Sequence, residues 1–452
     1  MSLSSLSVEL VQEVAGHLGI RPQSALRATC SALCVALDPL VFSTLTLRIG
    51  IEKLERDLSR LRALAEGATP FSRYARRVNI AEVTPYEFYW GTDNLKDPKT
   101  GEQKELWLVT LREALKPALT TLDGVRIVHW TASRDDPEWL VRDIVDTLAT
   151  WQLMEFSYVC DIAGALPALG RLSGASLRKL HFFASSQTKL DLEELVTLLH
   201  YTPKLVSLSV ESRKDLGFDD IWPVLQVNSV YLTELSVNIV SPKLCDYLVS
   251  YTGLERVHFR NVDALAVSRE TADLFFERVL RRHSASIVEL HVFPRYGSRW
   301  SFGTHNVGVL SSLVGLEKLG ITVDPEYGAA QLQKDITLLL DMVPQLPVLR
   351  LLDIETTRDE CDRGAWFRES ETIEYHREVE RMVRGVVSGY RHRGDLELDA
   401  SMRKRPSVEV YAEHLRGAQR LRMVEADDGD GWVCALFEGT RRVTAEVQDN
   451  GD

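Results

Sequence analysis

Leu254-Glu255-Arg256-Val257-His258-Phe259 is one copy of a phrase that recurs along this chain of 452 residues: an apolar residue, two spacers, an apolar residue, one spacer and a third apolar residue. Upstream stand Leu232-x-x-Leu235-x-Val237, Leu205-x-x-Leu208-x-Val210 and Leu177-x-x-Leu180-x-Phe182. Downstream stand Ile287-x-x-Leu290-x-Val292, Leu316-x-x-Leu319-x-Ile321 and Leu349-x-x-Leu352-x-Ile354. Two weaker copies come first, Val125-x-x-Val128-x-Trp130 and Leu153-x-x-Phe156-x-Tyr158, and successive starts lie 22 to 33 residues apart. A period of this size predicts stacked units, because no single unit can bury its own apolar residues. The long surface of such a stack points to a partner rather than to a reaction.

Each phrase reads as a short strand, and a helical period follows most of them. Residues 191–201 place Leu192, Leu195, Val196 and Leu199 on one face. Residues 241–251 do the same with Leu244, Tyr247 and Leu248, after Pro242 at the first helical position. Residues 271–283 carry Leu274, Phe275, Val279 and Leu280, and 332–343 carry Ile336, Leu339 and Leu340. Strand and helix alternate, which predicts an α/β solenoid of parallel strands with right-handed crossovers. The repeat resembles a leucine-rich repeat of irregular form. The Asn common eight residues after the first Leu is replaced by Ser185, Arg213, Val240 and Val262.

The spacers provide a check on register. In a strand they point away from the apolar residues, onto the concave face. The third-position column reads Ile127, Glu155, Lys179, Ser207, Glu234, Arg256, Glu289, Lys318 and Leu351. Signs alternate from Glu234 to Lys318, which predicts cross-strand ion pairs. This is either a ladder that satisfies itself or a charged recognition strip. The fifth-position column reads His129, Ser157, His181, Ser209, Ser236, His258, His291, Gly320 and Asp353. Only His258 and His291 come from adjacent units, so the column reads as polar lining. No metal or cofactor is expected.

Residues 1–48 differ from the rest. Leu10, Val14 and Leu18 recur at helical spacing, Ser7 is a candidate N-cap and Gly19 a stop. Pro22 opens a second short helix with Ala25, Leu26 and Cys30; Leu33 and Leu37 continue into a third that Pro39 ends; Val41-Phe42-x-x-Leu45-x-Leu47 leads out extended. Three short helices form a small core at best. The residues Leu6-Ser7-Val8-Glu9-Leu10, Val14, His17-Leu18, Ala25-Leu26-Arg27-Ala28-Thr29-Cys30-Ser31-Ala32-Leu33, Asp38-Pro39 and Phe42 resemble the F-box family. Ser7 stands where that family often has Pro, and Cys34 and Val35 lie where an aromatic is common. With the repeats downstream, the chain resembles fungal-type F-box proteins with leucine-rich repeats. That resemblance implies a substrate receptor of a cullin-RING (SCF-type) ubiquitin ligase. Leu6, Leu10, Val14, Leu18, Leu26 and Leu33 would then contact a Skp-family adaptor, and through it a cullin. The other reading is a repeat scaffold with no ligase role.

Composition limits the function classes. The net charge is −12, which disfavours general nucleic-acid binding. No apolar run approaches the ~18 residues needed to cross a bilayer, and Glu9 and Glu13 without a basic start do not read as a signal peptide. Six scattered cysteines form no framework, and Cys30 and Cys34 read as buried thiols on one helix face. No Asn lies in an N-x-Ser/Thr context. These features predict a reduced setting, cytoplasmic or nuclear. No Gly-x-Ser-x-Gly, phosphate-cradling loop or His-Glu-x-x-His occurs, so no enzyme is expected. Asp135-Asp136 and Asp219-Asp220 read as turns and caps.

The expected layout is an F-box over 1–48 and a connecting region with a first irregular coil over 49–120. The solenoid follows over 121–360, then a helix, cap and acidic tail over 361–452. A long aromatic loop is expected over 84–105, with Pro85, Tyr86, Phe88, Tyr89, Trp90, Gly91, Lys99 and Gly101. The tail should hold a charged helix over 361–395, weak strands at Leu396-Glu397-Leu398 and Leu421-x-Met423, and an acidic stretch over 425–430. A protein substrate is expected on the concave face around Arg256, His258, Glu289, His291 and Lys318. An insertion over 294–305, with Tyr296, Arg299, Trp300 and Phe302, would close over it.

Overall fold

The structure is a computed structural model. It describes residues 6–49, 53–81, 83–84, 98–133, 136–161, 164–172, 174–185, 190–212, 218–262, 268–325, 328–357, 369–392, 408–412, 419–425, 432–438 and 441–443. The chain divides into two compact units, Met1–Val230 and Tyr231–Asp452. The division falls inside the segment expected as one solenoid. In both units parallel strands alternate with helices in a solenoid-like arrangement.

The first unit begins with three helices, α1 (Val8–Gly16), α2 (Ile20–Arg27) and α3 (Ser31–Val41). The Ser7 side chain caps α1 by accepting from the Leu10 N–H. Two expected boundaries shift. Helix α1 ends at Gly16, and Gly19 is instead the N-cap of α2. Pro39 lies inside the last turn of α3 rather than ending it. Val11, Ala15, Leu33, Ala36 and Leu37 form the core of this piece, with Leu6, Leu26, Leu40 and Val41 packed against it. Arg27 pairs with Asp38 and lies over the Phe42 ring, which meets Phe71 edge-on at 5.0 Å. Cys30 is exposed at the N-cap of α3 and Cys34 is half-buried on that helix, which corrects the expectation of two buried thiols.

The strands of this unit are β1 (Thr44–Leu47), β2 (Arg77–Ala81), β3 (Ile127–Ser133), β4 (Glu155–Asp161), β5 (Gly164–Ala165), β6 (Lys179–Ala184), β7 (Leu190–Asp191) and β8 (Ser207–Ser212). They pair in parallel in the order β1-β2-β3-β4-β6-β8, with β5 and β7 forming a separate pair. The register sets each third phrase position opposite the next: Ile127 with Glu155, Glu155 with Lys179, and Lys179 with Ser207. Pairing starts two strands before the Val125-x-x-Val128-x-Trp130 phrase, with Thr44 opposite Arg77 and Arg77 opposite Ile127. Phe42-x-x-Leu45-x-Leu47 and Ala75-x-x-Val78-x-Ile80 therefore follow the same pattern. The third apolar positions stack across neighbours, Trp130 on Tyr158 at 4.9 Å and Tyr158 on Phe182 at 6.0 Å.

The expected loop over 84–105 is corrected from residue 98 onward, where the helix Pro98–Thr120 begins. Its buried Trp107, Leu111, Leu115 and Ala118 recur at helical spacing. Pro98 is tolerated there because the first helical residue donates no intrahelical bond. Pro85, Tyr86, Phe88, Tyr89, Trp90 and Gly91 lie outside the described residues, as do Asp135 and Cys361.

The second unit holds β9 (Glu234–Val237), β10 (Arg256–Val262), β11 (Glu289–Pro294), β12 (Lys318–Val323), β13 (Leu351–Thr356), β14 (Arg391–His392), β15 (Val408–Ala412), β16 (Gln419–Glu425), β17 (Trp432–Glu438) and β18 (Arg441–Val443). Strands β9 to β13 and β15 pair in parallel. Beyond β15 the pairing is antiparallel, through β16 to β17, which also receives β14 and β18. The charged helix is Glu369–Ser388, and Leu421-x-Met423 lies in β16 as expected. Leu396 to Leu398 and residues 426–430 lie outside the described residues. The helix expected over 241–251 is Pro242–Val249, with Ser241 capping the Leu244 N–H. That over 271–283 is α-helical over Ser268–Leu274, widens to a π-helix over Phe275–Leu280 and closes as Arg281–His283.

His283 is fully buried and spans two backbone groups. Its Nδ1 accepts from the Leu254 N–H at 3.2 Å, so its Nε2–H donates to the Leu248 carbonyl at 2.8 Å. Burial lowers its pKa, as it does for His129, His181, His258, His291 and His305. The unfolded chain holds these groups near their ordinary value of about 6.5. Below that pH the unfolded state takes up protons that the folded state refuses. Stability is therefore complete above about pH 6.5 and falls as the pH drops towards the depressed values. The urea midpoint should decrease between about pH 7 and pH 5, and His283→Gln should flatten part of that slope. A midpoint independent of pH across this range would contradict it.

Candidate functional site

Strands β10, β11 and β12 present Arg256, His258, Glu289, His291 and Lys318 on one face, because alternate residues of a strand share a side. Val257 and Phe259 of β10 and Leu290 and Val292 of β11 point the other way and are fully buried. Arg256 lies opposite Glu234 and Glu289, His258 opposite His291, and Glu289 opposite Lys318. This is the register that the alternating charges predict. The pairs form: Arg256 Nη1 donates to Glu234 Oε1 at 2.6 Å, and Lys318 Nζ donates to Glu289 Oε2 at 3.1 Å. Arg256 Nε stands 4.0 Å from the same Glu289 oxygen.

The other oxygen of Glu289 faces the two histidines. His258 Nε2 lies 3.2 Å and His291 Nε2 3.1 Å from Oε1. The imidazole rings stand 4.7 Å apart between centroids. Burial raises the Glu289 carboxyl, but the hydrogen bond from Lys318 and the charges of His258, Lys318 and His291 outweigh it, so it titrates below the usual carboxylate range. Burial lowers His258, only partly opposed by Glu289. Burial, with the charge of His258, pushes His291 down to about 4. Near neutral pH the carboxylate is charged and the imidazoles are not. A carboxylate oxygen only accepts, so in this arrangement both Nε2 atoms carry the hydrogen and donate to Oε1. Gly320, opposite His291, makes room for that ring: a Cβ there would lie 2.3 Å from His291 Nδ1 and 2.5 Å from Phe293 Cζ.

The ladder also yields a test of the electrostatics. Arg256→Glu would place three acidic residues in a row across β9, β10 and β11. The expected cost is on the order of 1 kcal/mol at low salt, since the pair is partly exposed. It should shrink when urea unfolding is repeated at high NaCl concentration. Equal destabilisation at both ionic strengths would show that charge is not the cause.

Tyr296 and Trp300 are not part of this face. Both are buried, Trp300 completely, so neither can close over a substrate as expected. The Trp300 ring packs on Phe259 at 5.7 Å, Phe275 at 5.6 Å and Phe276 at 6.0 Å. The insertion is folded down by its own bonds. Gly303 N–H donates to Asn306 Oδ1, Asn306 Nδ2 donates to the Ser301 carbonyl, and Phe302 N–H donates to the Thr322 carbonyl. At Gly297 a Cβ would fall 2.2 Å from the Asp324 carboxylate. Apolar composition alone does not distinguish a core plug from a gripping loop.

Among the adaptor candidates, Leu10, Val14 and Leu18 are exposed to 49, 51 and 39%, beside Val8 at 49% and Ile20 at 56%. Leu33 is buried, and Leu6 and Leu26 pack partly against the same small core. Val8 and Ile20 were missed in the sequence, although each lies within two residues of a quoted leucine. In the first unit, His181 Nδ1 meets Ser157 Oγ at 2.9 Å and His129 Nε2 lies 3.7 Å from Glu155, and among the described residues no third ligand-type group joins either pair. Among the described residues no helix is long and apolar enough to cross a membrane. No family model matches the chain, and a comparison with curated proteins finds no significant relative.

Proposed function

We propose that this chain is the substrate-recognition subunit of a cullin-RING (SCF-type) ubiquitin ligase. Its N-terminal helices dock a Skp-family adaptor, and the strand face of its repeats holds a protein substrate. The observation that carries this reading is the set of exposed apolar side chains in this segment: Leu10 and Val14 on one face of α1, Val8 at its start, and Leu18 and Ile20 just after it. Helix α1 turns Val11 and Ala15 inward and leaves Leu10 and Val14, a third of a turn away, outward. The small core is already filled without them. A cap that only closed the first repeat would have polar residues there, and clustered exposed apolar side chains mark an interaction surface. Leu33 then acts by supporting the helices from within.

The substrate is assigned to the face around Arg256, His258, Glu289, His291 and Lys318, without Tyr296 and Trp300. Adaptors of this class work inside the cell, so the cytoplasm or nucleus is the setting of this proposal. The deciding experiment is capture of a recombinant Skp-type adaptor and its cullin partner by the full-length chain. Stable one-to-one association is expected. Absence of association would leave a repeat scaffold without a ligase role.

A further inference from the structure

The face described above holds more than a charge ladder. Among the described residues, His258, Glu289 and His291 form a group whose ligand atoms all lie within 4.8 Å of one another. We propose that these three residues bind a divalent cation of the zinc class. This inference does not rest on the ligase reading.

Two of the three edges between ligand atoms already match such an ion, and the third is within 4.8 Å. Zinc bonds to imidazole nitrogen and carboxylate oxygen are about 2.0–2.2 Å, so neighbouring ligand atoms of a tetrahedral ion lie about 3.3 Å apart. The two observed edges, His258 Nε2 to Oε1 and His291 Nε2 to Oε1, are 3.2 and 3.1 Å. Two imidazoles and one carboxylate suit a borderline cation and leave a fourth position for water or a ligand atom of a partner. On binding, each ring hydrogen moves from Nε2 to Nδ1, which frees the Nε2 lone pair without changing the charge of the ring.

The surroundings hold the ligands in place. Lys318 engages Oε2, which leaves Oε1 aimed between the rings. Such an outer partner fixes a ligating carboxylate. The absence of a side chain at Gly320 admits the His291 ring at this position. Glu289 and His291 come from one strand two residues apart and His258 from the paired position of the next, so the regular ladder sets all three. Lys318 and Arg256 are cationic and weaken the site relative to a neutral setting. The expected affinity is therefore moderate.

The test uses the full-length, tag-free chain, titrated with Zn2+ against a chromophoric indicator, and with Co2+ followed by absorption. One equivalent should bind. His258→Ala, His291→Ala and Glu289→Gln should each weaken binding at least tenfold, with folding checked by circular dichroism. His258 is the more exposed ligand, so its variant gives a result even if His291→Ala does not fold. His181→Ala should change nothing. Cys30→Ser with Cys34→Ser should also change nothing, since those thiols are the competing ligands. Bound Co2+ should show ligand-field bands without thiolate charge transfer. The proposal is overturned by the absence of saturable binding, by unchanged affinity in the His258→Ala variant, or by thiolate bands.

Discussion

Replacing Trp300 by Ala should destabilise the second unit by about 3–5 kcal/mol, the range for truncating a large buried aromatic. The indole is fully buried between Phe259, Phe275 and Phe276. The ring joins three pieces distant in sequence: strand β10, the widened turn of the following helix and the insertion after β11. Its loss should loosen all three. Urea unfolding followed by circular dichroism is the measurement, with Trp300→Phe expected to recover part of the loss. A Trp300→Ala chain that keeps its stability but loses a captured partner would restore the gripping role that its burial argues against.

Leu10→Asp should abolish capture of the Skp-type adaptor while leaving the fold intact. The residue is about half exposed on α1, outside the core of Val11, Ala15, Leu33, Ala36 and Leu37, so a charge there costs the free chain little. In a desolvated interface the same carboxylate would lose its hydration without gaining a partner. A central apolar contact of this kind is worth at least about 2 kcal/mol, roughly a thirtyfold loss of affinity or more. Val14→Asp should act in the same way, and Val11→Asp should instead unfold the segment. Undiminished adaptor binding by the Leu10→Asp chain would remove the basis for the ligase proposal.

The two variants mark how far the sequence could be read. The parallel register was legible because apolar side chains alternate with spacers, and a slip by one residue would turn every leucine to the wrong face. That is why the repeat pattern alone places Arg256 between Glu234 and Glu289. The two earliest strands were harder to see, since Leu45, Leu47, Val78 and Ile80 sit in weaker phrases separated by an irregular stretch. Helix boundaries moved where local signals competed, as at Pro39, which the last turn of α3 accommodates.

Which residues point inward and which strand neighbours meet is written in the order of residues, because both follow from periodicities of two and of 3.6 residues. That order did not determine the depth of the insertion around Trp300. That depends on space left by Phe275 and Phe276 on a helix two elements away. Nor did it show that Glu289 joins His258 and His291. The two histidines occupy one column of the repeat and the carboxylate another, and only side-chain reach across strands, with Lys318 fixing one oxygen and Gly320 leaving room for a ring, brings the three atoms together.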